Sequence, residues 1–248
     1  MENKYEGEKE MINKKLSRII EGTLVAVILT LTSVNGNVAQ AAYDSKKAID
    51  YADKNYDKYN SSFPNYNNDC TNYVSQCLNK GGIGMNNYPD SLIGYTDLGK
   101  VLKTKSCWSA KKYTRTIAGI ISKTDFVSTT TWSRVDVEDS KTSYYGLQDY
   151  LNNYKNKKVI KYNIDNKGIK KLIADAEVGD VVQIKKKKEE RYSHSYIIGK
   201  IKKNKNGVKD VFVYAHTGSR GAEKDDALLI MKKAGAFDDY DKIVLIDM

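Results

Sequence analysis

An α+β fold, with N-terminal helices packed on an antiparallel β-sheet, is predicted by the order in which two periodicities occur. Between Asp44 and Ile173, apolar residues recur at three- and four-residue steps in several separate segments. From Asp180 onward the pattern changes to short β-prone runs divided by charged hairpin signals. Helices first and strands afterwards is the order of an α+β domain, not of an alternating parallel one.

Asp44-Ser45 opens the first helical stretch, in which Ala48, Ile49, Ala52, Tyr56 and Tyr59 share a face. A polar turn from Ser61 to Asn68, containing Pro64, separates it from a second helix. Cys70, Tyr73, Val74, Cys77 and Leu78 lie on one side of that helix; Asp69 is placed to cap its start and Gly81-Gly82 to stop it. Ile83 to Trp132 has no clean period and reads as loops with short elements, forming the walls of a cleft. Leu147, Tyr150, Leu151 and Tyr154 mark a third helix, and Ile169, Leu172 and Ile173 a short fourth. The predicted strands are 181–184, 192–202, 210–216, 228–232 and 243–246. No internal repeat or low-complexity linker divides the chain.

The first 41 residues read as a secretory leader. Lys14, Lys15 and Arg18 precede an apolar run from Thr23 to Val34, and Ala39-Gln40-Ala41 supplies small residues where a signal peptidase reads. The run falls well short of the ~20 residues needed to span a bilayer. Cleavage after Ala41 leaves about 207 residues as one domain, 42–248. The leader carries five basic and five acidic residues, so the remainder keeps the whole net charge of +10. Outside a cell that charge meets anionic wall polymers, while export argues against nucleic acid, and the membrane is met only through the leader. The lysines at 185–188, 202, 203 and 205 sit at predicted hairpin ends and read as solvated loops.

Three cysteines in an exported chain leave at least one free thiol unless chains pair. Cys70 and Cys77 are about 10 Å apart along a helix axis at ~1.5 Å per residue, too far to bridge. A Cys77–Cys107 bridge stays open, and it would leave Cys70 over. A cysteine in a helix's first turn faces unpaired N–H groups and the positive end of the macrodipole, which favours thiolate. Such a nucleophile needs a base, and the chain has only two histidines, His194 and His216. They fall at the start of one predicted strand and the end of the next, on one edge of the sheet. Alternation groups His194 with Tyr196 and Ile198, and His216 with Tyr214 and Phe212, and a helix packed there is expected to bring Cys70 to both rings. Metal-binding spacing of the CxxC or HExxH kind is absent, so no metal and no cofactor is expected.

Asn68-Asp69-Cys70-Thr71-Asn72-Tyr73-Val74-Ser75-Gln76, followed by Leu78 and Gly81-Gly82-Ile83, resembles the hallmark of a bacterial amidase-domain family. Its exported members are similar to the papain-like NlpC-type and CHAP cell-wall hydrolases. Tyr43-Asp44, Thr131-Trp132-Ser133, Gly179-Asp180-Val181-Val182-Gln183, Ser193-His194-Ser195 and Tyr214-Ala215-His216-Thr217 extend the resemblance from Ala42 to Thr217. The resemblance implies a papain-like fold and hydrolysis of amide bonds in peptidoglycan stem peptides or another exposed peptide. It places the nucleophile on Cys70, the general base on His194 and the polar orienter of that imidazole on His216. The oxyanion donors it implies are the Cys70 N–H assisted by Asn65, Asn67 or Asn68. The same residues also admit a wall-binding module that has lost catalysis, or a transferase in which an amine resolves the thioester.

Overall fold

Asp44 accepts a hydrogen bond from the Lys47 N–H at 3.0 Å and so caps the first helix, α1 (Ser45–Asn55), which buries Ala48 and Ala52. The computed structural model describes residues 42–134, 144–189, 192–203, 205–216, 221 and 238–248, within the compact unit Ala41–Met248. The expected leader, the strand expected at 228–232 and Thr217 lie outside the described residues.

The second helix, α2 (Cys70–Lys80), buries every residue from Cys70 to Leu78, so it runs through the core instead of lying on it. It ends where the Gly81 N–H returns to the Cys77 carbonyl. The short helix α3 (Thr130–Ser133), then α4 (Leu147–Lys155) and α5 (Asn166–Asp175) complete the helices of four or more residues among those described.

The region from Ile83 to Trp132, expected as loops, contains a long hairpin instead. Strands β2 (Ala110–Ile117) and β3 (Ile121–Thr129) pair antiparallel in unbroken register from Ala110↔Ser128 to Ile117↔Ile121, and β1 (Val101–Leu102) joins β3 in parallel. Three residues, 118–120, connect them: Ala118 and Gly119 both have positive φ (52° and 69°), and the Ile120 N–H closes the turn on the Ile117 carbonyl. Most of the hairpin's outer half is exposed, so no hydrophobic alternation announces it.

The main sheet has five strands in the order β4-β8-β5-β6-β7, every neighbouring pair antiparallel. These are β4 (Lys158–Asn163), β5 (Val181–Lys186), β6 (Tyr192–Lys203), β7 (Lys209–Tyr214) and β8 (Tyr240–Asp247). The architecture is therefore α+β with antiparallel sheets. β4 was not expected from the sequence; it is an edge strand with one buried residue, Tyr162.

Two apolar clusters divide the faces of this sheet. Val181, Ile197, Phe212, Tyr214 and Ile246 pack with α1, α2, Trp108 and Trp132 on one face. Val182, Ile184, Tyr196, Ile198, Val211 and Val213 pack with Ile169, Leu172 and Ile173 of α5 on the other. Gly179 fixes how the sheet meets α1. Its φ is +100°, its carbonyl accepts from the Tyr43 hydroxyl at 2.9 Å, and a Cβ there would lie 2.5 Å from the Ser45 Cβ. Only glycine fits both the backbone and the space, which explains Gly179 ahead of Asp180.

Candidate active site

The segment from Asp69 to Gln76 positions one thiol, and most of its other side chains hold that thiol in place. Thr71 Oγ1 meets Ser195 Oγ of β6 at 2.9 Å, and Gln183 Nε2 donates to the same Ser195 oxygen at 2.9 Å, so the first turn of α2 is tied to the sheet. Asn72 Nδ2 donates to the Pro64 carbonyl and to Asp69 Oδ1, both at 2.8 Å. Its Oδ1 accepts from Trp132 Nε1 at 2.7 Å. Trp132 is fully buried, and an unpaired N–H there would cost about 1–3 kcal/mol. The Tyr73 hydroxyl donates to the Ala52 carbonyl, Ser75 to the Trp132 carbonyl, and Gln76 accepts from the Tyr51 hydroxyl. The backbone Tyr73 N–H returns to Asp69 O, closing the first turn with Cys70 at its opening.

Asp69 occupies the N-cap position as expected, but its side chain does not cap the helix. Oδ1 accepts from the Tyr66 N–H at 3.1 Å and from Asn72, while Oδ2 lies 2.5 Å from His216 Nδ1. Both side chains are nearly sealed, 3 % and 5 % exposed. His216 Nε2 donates to the Lys58 carbonyl at 2.9 Å, and the ring stacks on Tyr73 with centroids 4.8 Å apart. The carboxylate is thus matched by an imidazole and drawn away from the helix N–H groups, beside which Cys70 sits.

These contacts correct the expected role of His216. Its two nitrogens are spent on Asp69 and Lys58, which makes it a clamp on the segment leading into Cys70 rather than the orienter of His194. The expectation that both histidines share a face is also overturned. Tyr214 and Phe212 belong to the face packed by α1 and α2, whereas Tyr196 and Ile198 belong to the face packed by α5. Parity along β6 decides this, because Ser195 points to α2 and its neighbours must point away. His194 pairs with Ile184, beside a register shift that sets Lys185 opposite Tyr192. It reaches the site from the end of the strand, next to this bulge.

Cys70 and His194 line one cleft of about 480 Å³. Asn68, Thr71 and Ser133 line it with them, as do Val101, Lys103 and Thr130 from the region expected to form its walls. Cys70 is 4 % exposed, and His194, near the start of β6, is half-buried. Among the three asparagines expected near the oxyanion, Asn68 lines the cleft; Asn65 and Asn67 are exposed and do not. All three cysteines are free thiols, so no Cys77–Cys107 bridge forms. Burial pushes the Cys77 thiol far up, holding it protonated and inert, with a smaller opposing effect from its bond to Tyr73. No group of three or more potential metal ligands occurs among the described residues.

Sequence reading missed Asp69 as the partner of His216 and Asn72 as the acceptor for Trp132. The signal for the first was Asp69 next to Cys70 with only two histidines to answer it; the second had none, since the pair is separated by 60 positions.

Comparison with curated proteins gives no match, and comparison with solved structures gives none either. The sequence profile of one family, described as Putative amidase domain, matches residues 42–237, which include Cys70, His194 and His216. With well over half its length matched, the chain belongs to the Putative amidase domain family, whose description is that of amide hydrolases.

Proposed function

We propose that the protein is a papain-like cysteine hydrolase, exported after loss of residues 1–41, that cuts amide bonds in peptidoglycan stem peptides or another extracellular peptide. The observation that carries this reading is that the thiol at the first residue of α2 and the imidazole of His194 line the same cleft.

The positive end of α2 favours the Cys70 thiolate, helped by an Asp69 carboxylate already matched by His216. The thiolate attacks the amide carbonyl carbon, and the resulting oxyanion is held by the Cys70 N–H with Asn68 beside it. His194 gives its proton to the leaving amine as the C–N bond breaks, leaving a thioester on Cys70. His194 then takes a proton from water, whose oxygen displaces the sulfur, releases the acid and restores the thiolate beside the protonated imidazole. His216 serves by fixing Asp69 and Lys58, not by touching the reacting atoms.

Product analysis tests this. Incubating the full chain with purified peptidoglycan in ¹⁸O-water should release new amines and place one ¹⁸O in the paired acid, as read by mass spectrometry. Recovery of the acyl group on an added amine, such as glycine methyl ester, in place of water would reassign the protein as a transferase. Binding of the wall with no new amine would reassign it as a binding module.

A further inference from the structure

We infer that the cleft around Cys70 selects an acidic peptide, one with free carboxylates flanking the scissile amide. The inference rests on the reading of this cleft as the site of amide cleavage and adds to it the charge class of the substrate.

Among the described residues, three cations line the cleft, Lys103, Arg134 and Lys186, against one carboxylate, Glu189. Cations are common in this chain, so their number alone decides little. Their grouping on one concave wall, with none of them paired to a carboxylate among the described residues, decides more. Elsewhere Lys111 pairs with Asp90 at 3.0 Å, Lys123 with Asp125 at 3.7 Å, and Lys185 with Asp241 at 3.5 Å. Among the described residues, no carboxylate pairs with Lys103, Arg134 or Lys186. Lys185 and Lys186 are adjacent on β5; the first is paired with Asp241, while the second lines the cleft.

The cations are also held. The Lys103 ammonium stands 5.5 Å from the centre of the Tyr144 ring, itself part of the lining, and this cation–π contact keeps it over the cleft without removing its charge. Arg134 follows directly on α3, its N–H bonded to the Thr130 carbonyl at 2.9 Å, so its backbone is anchored where the cleft is lined. Lys186 is half-buried at the end of β5. Cations gathered around a concave wall repel one another and focus positive potential into the space between them. A peptide bringing carboxylates there replaces that repulsion with attraction, while its amide is presented to Cys70 and to the amide side chain of Asn68. Lys103 and Arg134 are exposed, so screening by salt should be marked.

The test measures binding apart from turnover. Full-length Cys70→Ala protein is titrated into two tetramethylrhodamine-labelled peptides, Ala-Gly-Glu-Ala-Glu-Gly-Ala and its counterpart with both Glu replaced by Gln, and anisotropy is read at ~20 mM and ~500 mM salt. The expected result is roughly tenfold tighter binding of the Glu peptide at low salt, falling to about twofold at high salt. The combined Lys103→Gln, Arg134→Gln, Lys186→Gln variant, with its circular dichroism unchanged, should bind the two peptides equally. Equal binding by the parent protein, or a preference that survives in the triple variant, overturns the inference. A glycerol-phosphate oligomer of equal charge that binds tighter than the Glu peptide, and loses this in the triple variant, also overturns it in favour of a phosphodiester polymer. A Glu preference lost in the triple variant supports the inference even if wild-type protein cleaves neither peptide, an outcome that would count against the hydrolase reading alone.

Discussion

Replacing Cys70 by alanine is expected to lower amide cleavage by at least ~10⁴-fold, because a thioester pathway has no second nucleophile to fall back on. The fold should survive. Alanine is a strong helix former, and the tie between α2 and the sheet runs through Thr71, Ser195 and Gln183 rather than through the sulfur. The urea midpoint of the variant should correspond to a change of about 1 kcal/mol or less. Cys77→Ala is the control: that thiol is fully buried and held protonated, so its removal should alter stability and leave cleavage nearly unchanged. Cleavage by the Cys70 variant within tenfold of wild type would remove the nucleophile from the account.

The largest effect on stability is expected at Asp69. Alanine there removes the acceptor for the Tyr66 N–H, for Asn72 Nδ2 and for the His216 ring in one step, all in a nearly solvent-free setting. Breaking a buried pair by deleting one partner typically costs about 3–5 kcal/mol, because the other group is left buried and unmatched. Urea denaturation of Asp69→Ala should show a loss of that order. Asp69→Asn, whose carbonyl oxygen still accepts from Tyr66 and Asn72, should recover much of it. A double-mutant cycle with His216→Ala isolates the pair and should give a coupling of about 1–3 kcal/mol. A loss below about 1 kcal/mol for Asp69→Ala would mean that the clamp contributes little to the folded state.

What could be read in the sequence follows the physics of each element. α1, α2, α4 and α5 were legible because each carries apolar residues at helical spacing, and Asp44 marks the start of α1 and Gly81 the end of α2. β5, β6, β7 and β8 were legible as β-prone runs. The hairpin of β2 and β3 was not, because both faces of its outer half are exposed and mostly polar, and Ala118-Gly119 is a weak turn signal beside Asn-Gly. The site was half legible. Cys70 opening a helix and His194 opening a strand both stand where the sequence put them, and they line one cleft. The faces were not legible, since strand parity at His194 depends on a bulge that no local pattern announces. For the same reason His216 could not be assigned to Asp69, a contact across 147 positions.

The central claim is that Cys70 and His194 act as a thiol–imidazole pair at the mouth of the cleft. Its most direct test is the rate of iodoacetamide alkylation of Cys70 in the native protein as a function of pH, resolved by peptide mass spectrometry, for wild type and His194→Ala. The account predicts that Cys70 alkylates near pH 6.5 far faster than an unstructured cysteine peptide, that Cys77 stays unlabelled, and that His194→Ala slows Cys70 at least ~10-fold. A Cys70 profile that follows the unstructured peptide and is indifferent to His194 would contradict it.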